Sequence, residues 1–351
     1  MKPSGVPSRY GEAGVHLGLA ERAMERIRPL VEATHGPEVA AGFGAFAGLW
    51  RMPGADGVLL GATIDGVGTK LRIAQATGRH AGVGVDIVNH CANDCMAAGA
   101  RPAFFLDYFA CGRLDPAVLA EIVRGMAEAC LAARCALLGG ETAEMPGFYG
   151  EEEYDLAGCM IGIAREATLP SAARVGAGDA LLGYLSTGLH TNGYSLARHV
   201  LLAEMQMPLD RELPELGPGI TLADALLAPH QLYVPALVSA LDRGDIHALA
   251  HVTGGGIPGN LVRVLPPGLD ARITPGSWAE PPIFDLIRRG GRVGEEEMRR
   301  VFNLGVGMIA VLDRAGLERA EADAQRHGIA TAVIGEMVSG GGRVHFADDE
   351  S

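Results

Sequence analysis

The residues best equipped for chemistry lie in Thr63-Ile64-Asp65-Gly66-Val67-Gly68-Thr69-Lys70. Glycines let backbone N–H groups close on an anion, and Lys70 adds a point charge. Asp65 suits a bare anion badly, but it suits one bridged by Mg²⁺, which takes carboxylate and phosphate oxygens together. The stretch reads as a metal–nucleotide loop, with a strand-end turn carrying a surface lysine as the alternative. It is not a Walker A loop, because Gly-x-x-x-x-Gly-Lys-Ser/Thr is absent. Of 29 basic residues only Lys2 and Lys70 are lysines. A chain this rich in arginine that keeps one interior lysine wants a compact, flexible ammonium there.

Further acids and histidines follow. Asp86, His90 and Asp94 share one helix face at i, i+4, i+8, with Asn93 beside them. Ile87, Cys91 and Cys95 form the neighbouring apolar stripe, so Asp94 stands at its border, where a carboxylate is costly unless it binds something. That favours a metal role for Asp94 and a solvated polar face for Asp86 and His90. Gly139-Gly140-Glu141 repeats the design of Asp65, an apolar run ending in glycines and an acid. His247 and His251 align on either a strand or a helix. Ala248 stands where a zincin needs glutamate, which argues against zinc hydrolysis. Thr253-Gly254-Gly255-Gly256 is either an anion-binding turn at a helix start or a tight turn needing positive φ. The five asparagines, Asn89, Asn93, Asn192, Asn260 and Asn303, all fall in or beside these motifs, as ligand contacts or as caps and turns.

The elements that must position these groups can be read in outline. Val58–Ala62 is a short buried strand. Tyr10–Thr34 is helical with a break near Pro29, and Gly42–Trp50 is either a loop folding over a ligand or one burying its rings. The spacing predicts a helix over Asp86–Ala98 closed by Gly99, a strand over Pro102–Ala110, and a helix from Asp115-Pro116 to Arg134. Ala136–Leu138 and Tyr154–Ala164 read as strands. Arg165–Gly178, with its proline and glycines, is the candidate boundary between domains 1–168 and 169–351. Beyond it come a strand over Asp179–Leu185, a polar turn (Ser186–Ser195) opening a helix to Met205, and a helix over Ala228–Leu241. A helix over Ile257–Val264, a strand from Phe302 to Leu312, a last helix and two short strands close the chain.

Composition sets the outer limits. The 351 residues suffice for two cores, and 48% hydrophobic with 20% charged residues is ordinary for a globular protein. A net charge of −13 argues against nucleic-acid or anionic-membrane binding. Met1–Gly5 shows no apolar targeting segment, and no run reaches the ~18 residues that span a bilayer. Six cysteines without a C-x-x-C pair read as reduced thiols in a cytoplasmic protein.

Taken in order, Asp65–Lys70, Asn93-Asp94, Gly139-Gly-Glu-Thr-Ala-Glu-Met-Pro-Gly147, Asn192-Gly-Tyr-Ser195, His251-Val-Thr-Gly-Gly-Gly256 and Phe302-Asn-Leu-Gly-Val-Gly-Met308 resemble the AIR synthetase family, over nearly the whole chain. The resemblance implies a two-domain α+β or α/β fold. In it an N-terminal mixed sheet joins that of a second copy in a homodimer barrel, and an α/β domain lies alongside. It implies ATP-dependent closure of formylglycinamidine ribonucleotide to aminoimidazole ribonucleotide, with release of ADP and phosphate, in purine synthesis. Carried over, Asp65, Asp94 and Glu141 are the Mg²⁺ acids. Gly66, Val67, Gly68, Thr69, Lys70, Asn93, Gly139 and Gly140 serve the nucleotide phosphates. His190, Asn192, Thr253, Gly254, Gly255 and Gly256 face the substrate. His190, His247 and Lys70 are the catalytic candidates. Arg28 and Ile64 depart from the pattern, at a phosphate contact and beside Asp65.

An amide oxygen leaves badly, and phosphorylation makes it a good leaving group. The protein then has to align and neutralise, which explains acids that without metal would repel ATP. Another ATP-dependent member of the superfamily, a thiamine-phosphate kinase, is the alternative. A selenophosphate synthetase lacks its reactive N-terminal cysteine here, and formylglycinamidine synthase is much longer. A non-catalytic nucleotide sensor would have lost the acids.

Overall fold

Short apolar runs separated by glycine turns become strands, and longer amphipathic runs cover them. The computed structural model describes residues 8–350, so the Met1–Gly5 reading lies outside it. The first sheet comprises β1 (Val39–Ala41), β2 (Gly48–Arg51), β3 (Val58–Gly66), β4 (Arg101–Cys111), β5 (Ala136–Glu144) and β6 (Tyr154–Arg165). Its order is β1-β2-β3-β6-β4-β5, antiparallel except for β4–β5. The second comprises β7 (Ala180–Leu185), β8 (Ile246–His251), β9 (Leu269–Ile273), β10 (Val306–Leu312), β11 (Thr331–Ser339) and β12 (Val344–Phe346), in the order β12-β9-β11-β7-β10-β8. Each domain is thus a mixed sheet with helices, an α+β architecture.

Alternation sorts the faces of the first sheet. Leu59, Phe105, Phe109, Leu156 and Met160 point into the core, under the helices Ala81–Ala97 and Pro116–Ala133. A Cβ at Gly84 would collide with the Ile122 carbonyl, so glycine lets these helices approach closely. The other face leaves Ile64 72% and Leu138 63% exposed, along with Ile163, Tyr108 and Leu106. The helix Pro116–Ala133 is capped as its sequence predicts, with Asp115 accepting from the N–H groups of Ala117 and Val118. No described helix is long and apolar enough to cross a membrane.

Several elements differ from expectation: β3 runs on through Asp65 to Gly66, the helix expected from Asp86 starts at Ala81, and the strand expected from Phe302 starts at Val306. The strand expected over Ala136–Leu138 runs on to Glu144, because β4 offers a parallel edge along its whole length. The break in the N-terminal helical segment falls between Glu12 and Leu17, and Pro29 lies inside the last turns of Leu17–Glu32. The helix expected from Ala228 starts at Val234. Ala228–Tyr233 is instead drawn out by hydrogen bonds to the first domain. The Ala228 carbonyl accepts from Lys70, the His230 N–H binds Asp86, and Asn89 and Asn93 donate to the carbonyls of His230 and Gln231.

Candidate functional site

The helix Ala81–Ala97 lies between the two sheets, and its polar face is buried rather than solvated. Asp86, Asn89, His90, Asn93 and Asp94 all point at the second domain. The reading of Asp86 and His90 as a wet face is therefore corrected. The i, i+4 spacing specified a shared face, but only the second domain shows that the face is covered.

Lys70 is completely buried, with Nζ 2.7 Å from Asp86 Oδ2 in an ion pair. It also donates to the carbonyls of Ala228 (2.8 Å) and His190 (3.2 Å). Burial pushes the lysine pKa down and the aspartate pKa up, and each partner pulls the other back. Protein oxygens thus surround the ammonium, and no valence is left for a phosphate. In this structure the lysine kept for its compact charge is an interdomain tie, which answers the compositional observation differently from the phosphate contact expected of it.

Beside this tie, four of the eleven histidines meet. His90 Nε2 lies 2.9 Å from Asp65 Oδ2, and its Nδ1 lies 2.8 Å from Thr191 Oγ1. Thr191 reaches His230 Nδ1, His230 Nε2 is 3.0 Å from His251 Nε2, and His251 Nδ1 is 2.8 Å from Asp94 Oδ1. Two assignments satisfy every link, one with the extra proton on His251 and one with it on His90, which the surrounding carboxylates favour. A doubly protonated His90 donates to Asp65 and Thr191, Thr191 donates to His230, His230 to His251, and His251 to Asp94. Burial lowers the His90 pKa, but Asp65, Asp94 and Asp86 more than reverse this and hold it at about 9. Burial likewise raises the Asp65 carboxyl, and His90 and the Gly66 N–H bring it below its ordinary value. His90, Asp94 and His251 hold potential ligand atoms within 4.8 Å of one another.

His190 stacks on His230 with ring centroids 4.0 Å apart. Its φ of 61° is left-handed, an uncommon and strained choice for a non-glycine residue. Burial, then the neighbouring cations, drive its pKa well down, so the ring is neutral. The Gln231 N–H points at Nε2 at 3.4 Å, and the enclosed Nδ1 has no partner among the described residues. Asn192 adjoins the glycine turn, since a Cβ on Gly254 would touch Asn192 Oδ1 at 3.4 Å. Asn260 ties that turn together by donating to the carbonyls of Thr253, Gly254 and Gly256. Gly255 and Gly256 both have positive φ, so the turn needs its glycines for conformation.

Two expected residues stand elsewhere. His247 is four residues from His251 on β8, about 13 Å along a strand, and its Nδ1 meets Asp179 Oδ2 at 2.7 Å. Glu141 pairs across the sheet with Tyr108 and lies in the row of Gly66 and Ala157. Asp65 lies in the adjacent row with Gly158, Asp107 and Gly140. A Cβ on Gly140 would run into Asp107 on the helix-covered side, so Glu141 belongs to the exposed face, opposite Asp65. Gly139 and Gly140 lie on the same edge strand. His230 and Thr191 join the network although neither residue type nor spacing singles them out in the sequence. A histidine directly after Ala228-Pro229 in a supposed helix was the one available signal for the former.

The chain matches the models of the AIR synthase related protein N-terminal domain over residues 45–164 and of its C-terminal domain over residues 176–347. It is 49% identical over 336 residues to a phosphoribosylformylglycinamidine cyclo-ligase of Sorangium cellulosum, covering 95% of this chain and 96% of that one. It is 48% identical to one of Synechococcus, with 95% and 97% covered. Among solved structures it is similar in fold to a thiamine-monophosphate kinase from Stenotrophomonas maltophilia, with a TM-score of 0.57, 18% identity, and 92% and 95% of the chains covered.

Proposed function

The chain belongs to the AIR synthase related family through both of its domains, and we propose that it is an ATP-dependent cyclo-ligase of purine synthesis, acting in the cytoplasm. It closes formylglycinamidine ribonucleotide to aminoimidazole ribonucleotide and releases ADP and phosphate. Near-full-length identity to cyclo-ligases carries this reading. The kinase alternative rests on a likeness of fold alone.

The chemistry follows from the junction. Asp65 and Asp94 supply carboxylate oxygens of the kind Mg²⁺ takes, and the Asp65 side chain is 38% exposed, so it can reach a ligand. They would hold the metal, which when bound neutralises the triphosphate. Without it, each close carboxylate–phosphate pair would cost about 4 kcal/mol at an effective dielectric of ~20. The backbone of Gly66–Thr69 and the glycine turn Thr253–Gly256 would orient phosphates and substrate. Phosphorylation of the formyl oxygen lets the neighbouring amidine nitrogen displace it as phosphate. His190, neutral and strained, is the candidate to move the proton lost at ring closure, while His247 is held by Asp179 away from the junction.

The exposed apolar face of the first sheet is wide enough to call for cover, and a second copy forming the homodimer barrel supplies it. Glu141 lies on that face, so its part in metal binding requires the assembled dimer.

ADP formation tests the activity. It should be strictly dependent on formylglycinamidine ribonucleotide and accompanied by aminoimidazole ribonucleotide. Turnover with thiamine monophosphate, and none with the ribonucleotide, would reverse the assignment.

A further inference from the structure

Arg263 stands just after the helix Gly256–Leu261 and joins two segments that are far apart in the chain. Its Nε and Nη2 donate to the Gly44 carbonyl at 3.2 and 2.9 Å, and its Nη1 donates to Asn260 Oδ1 at 3.1 Å. Its Cζ lies 3.7 Å from the centroid of the Phe46 ring, a cation–π contact. Among the described residues it makes no ion pair. The position therefore uses the planar fork, which reaches acceptors on two sides, rather than the charge alone.

Asn260 is buried, and its Nδ2 donates to the carbonyls of Thr253, Gly254 and Gly256 at 3.3, 3.2 and 2.9 Å. A side-chain amide turned end for end keeps its shape, so its neighbours decide where each end points. Thr253 Oγ1, 3.4 Å from Oδ1, accepts as readily as it donates and does not decide. Arg263 can only donate, so it holds Oδ1 on its own side and leaves Nδ2 to the three carbonyls. The arginine is itself seated by the Phe46 ring and the Gly44 carbonyl. Gly44 has φ 96°, a left-handed conformation that glycine adopts without strain.

We propose that Arg263 is a positioning residue for the glycine turn 253–256, and that residues 42–47 form the seat that holds it, so that the order of this seat is transmitted through Asn260 to the turn. The assignment rests on the cyclo-ligase reading, under which the turn faces the ribonucleotide. Lysine keeps the charge at this position but cannot bind the Gly44 carbonyl on one side and the Asn260 amide on the other.

The test is hydrogen exchange of the full chain, read by mass spectrometry in residues 42–47 and 253–260, with kcat and the KM for formylglycinamidine ribonucleotide measured beside it. Arg263 is exposed, so Arg263→Met removes no core packing. It should speed exchange in both segments by roughly 5- to 10-fold, the loss of about one hydrogen bond. It should raise that KM by roughly 3- to 10-fold and leave kcat within about twofold, because the turn holds substrate and does not react. Arg263→Lys should raise the KM as Arg263→Met does. Phe46→Leu, which removes the ring but no hydrogen bond, should still speed exchange in residues 253–260. Faster exchange confined to one segment in Arg263→Met, no response of residues 253–260 to Phe46→Leu, an unchanged KM in Arg263→Met, or a wild-type KM in Arg263→Lys overturns the link. Ribonucleotide-dependent ADP formation by wild type is measured in parallel. Its absence beside linked exchange rejects the cyclo-ligase reading alone. Its presence beside unlinked exchange rejects the role of Arg263 alone.

Discussion

Replacing Lys70 with methionine separates two uses of one lysine. Methionine keeps most of the stem and removes the ammonium. Asp86 Oδ2 would then lose its ion-pair partner at 2.7 Å, and the carbonyls of Ala228 and His190 would lose a donor. Removing one member of a buried pair costs about 3–5 kcal/mol, because the other charge is left without compensation. At the roughly 1.4 °C per kcal/mol expected for a chain of this size, the thermal midpoint should fall by about 4–7 °C. Asp86→Asn should cost a similar amount, since its Oδ1 still accepts the His230 N–H at 2.7 Å while the ammonium is stranded. The double variant should lose less than the sum of the two, by roughly 2 kcal/mol or more. Calorimetric or urea unfolding at pH 7 reads all three, alongside the KM for ATP. A Lys70→Met protein that melts within about 2 °C of wild type while its KM for ATP rises tenfold would refute the interdomain tie and restore the phosphate contact.

Asp65→Asn should reduce kcat/KM by roughly 100-fold or more and weaken the dependence of turnover on Mg²⁺ concentration, whereas an unchanged metal titration would remove Asp65 from the metal. His190→Ala should lower kcat by about 100-fold while His247→Ala, away from the junction, should not, and a near-normal His190→Ala enzyme would end the proton-transfer idea. Asp245 is held below its ordinary carboxylate pKa by the Arg319 hydrogen bonds first and by Arg243 next. The stability it contributes is therefore complete above its unfolded pKa of ~3.9 and lost as pH falls through the lower folded value. Asp245→Asn should destabilise by about 1–2 kcal/mol at pH 7, and the difference from wild type should shrink below about pH 4. A gap that stays constant down to pH 2.5 would contradict this. Gly140→Ala drives a methyl into Asp107 and should lower the melting point, while Gly139→Ala, with open space around it, should not.

Local chemistry was legible wherever a rule acts over a few residues. The Asp115 cap, the strand alternation of β4 and β6, the shared face of Asp86, His90 and Asp94, and the glycine turn before the helix at Gly256 all follow from periods of 2 and 3.6 and from positive φ. Order along the chain was legible too, because six short motifs in sequence identify a family that no single motif could. What faces each of these groups was decided by tertiary structure. A helix face of two acids and a histidine looks the same in sequence whether it meets water or a second domain. Only the packing of Ala228–Tyr233 against Ala81–Ala97 shows that the face is covered, that His230 links the His90–Thr191 pair to His251, and that Lys70 is spent on Asp86. Register has the same character. Asp65 and Glu141 end similar glycine-rich strands, yet a one-row offset across β6 and β4 turns them to opposite faces of one sheet, because pleating reverses the side chain at every residue.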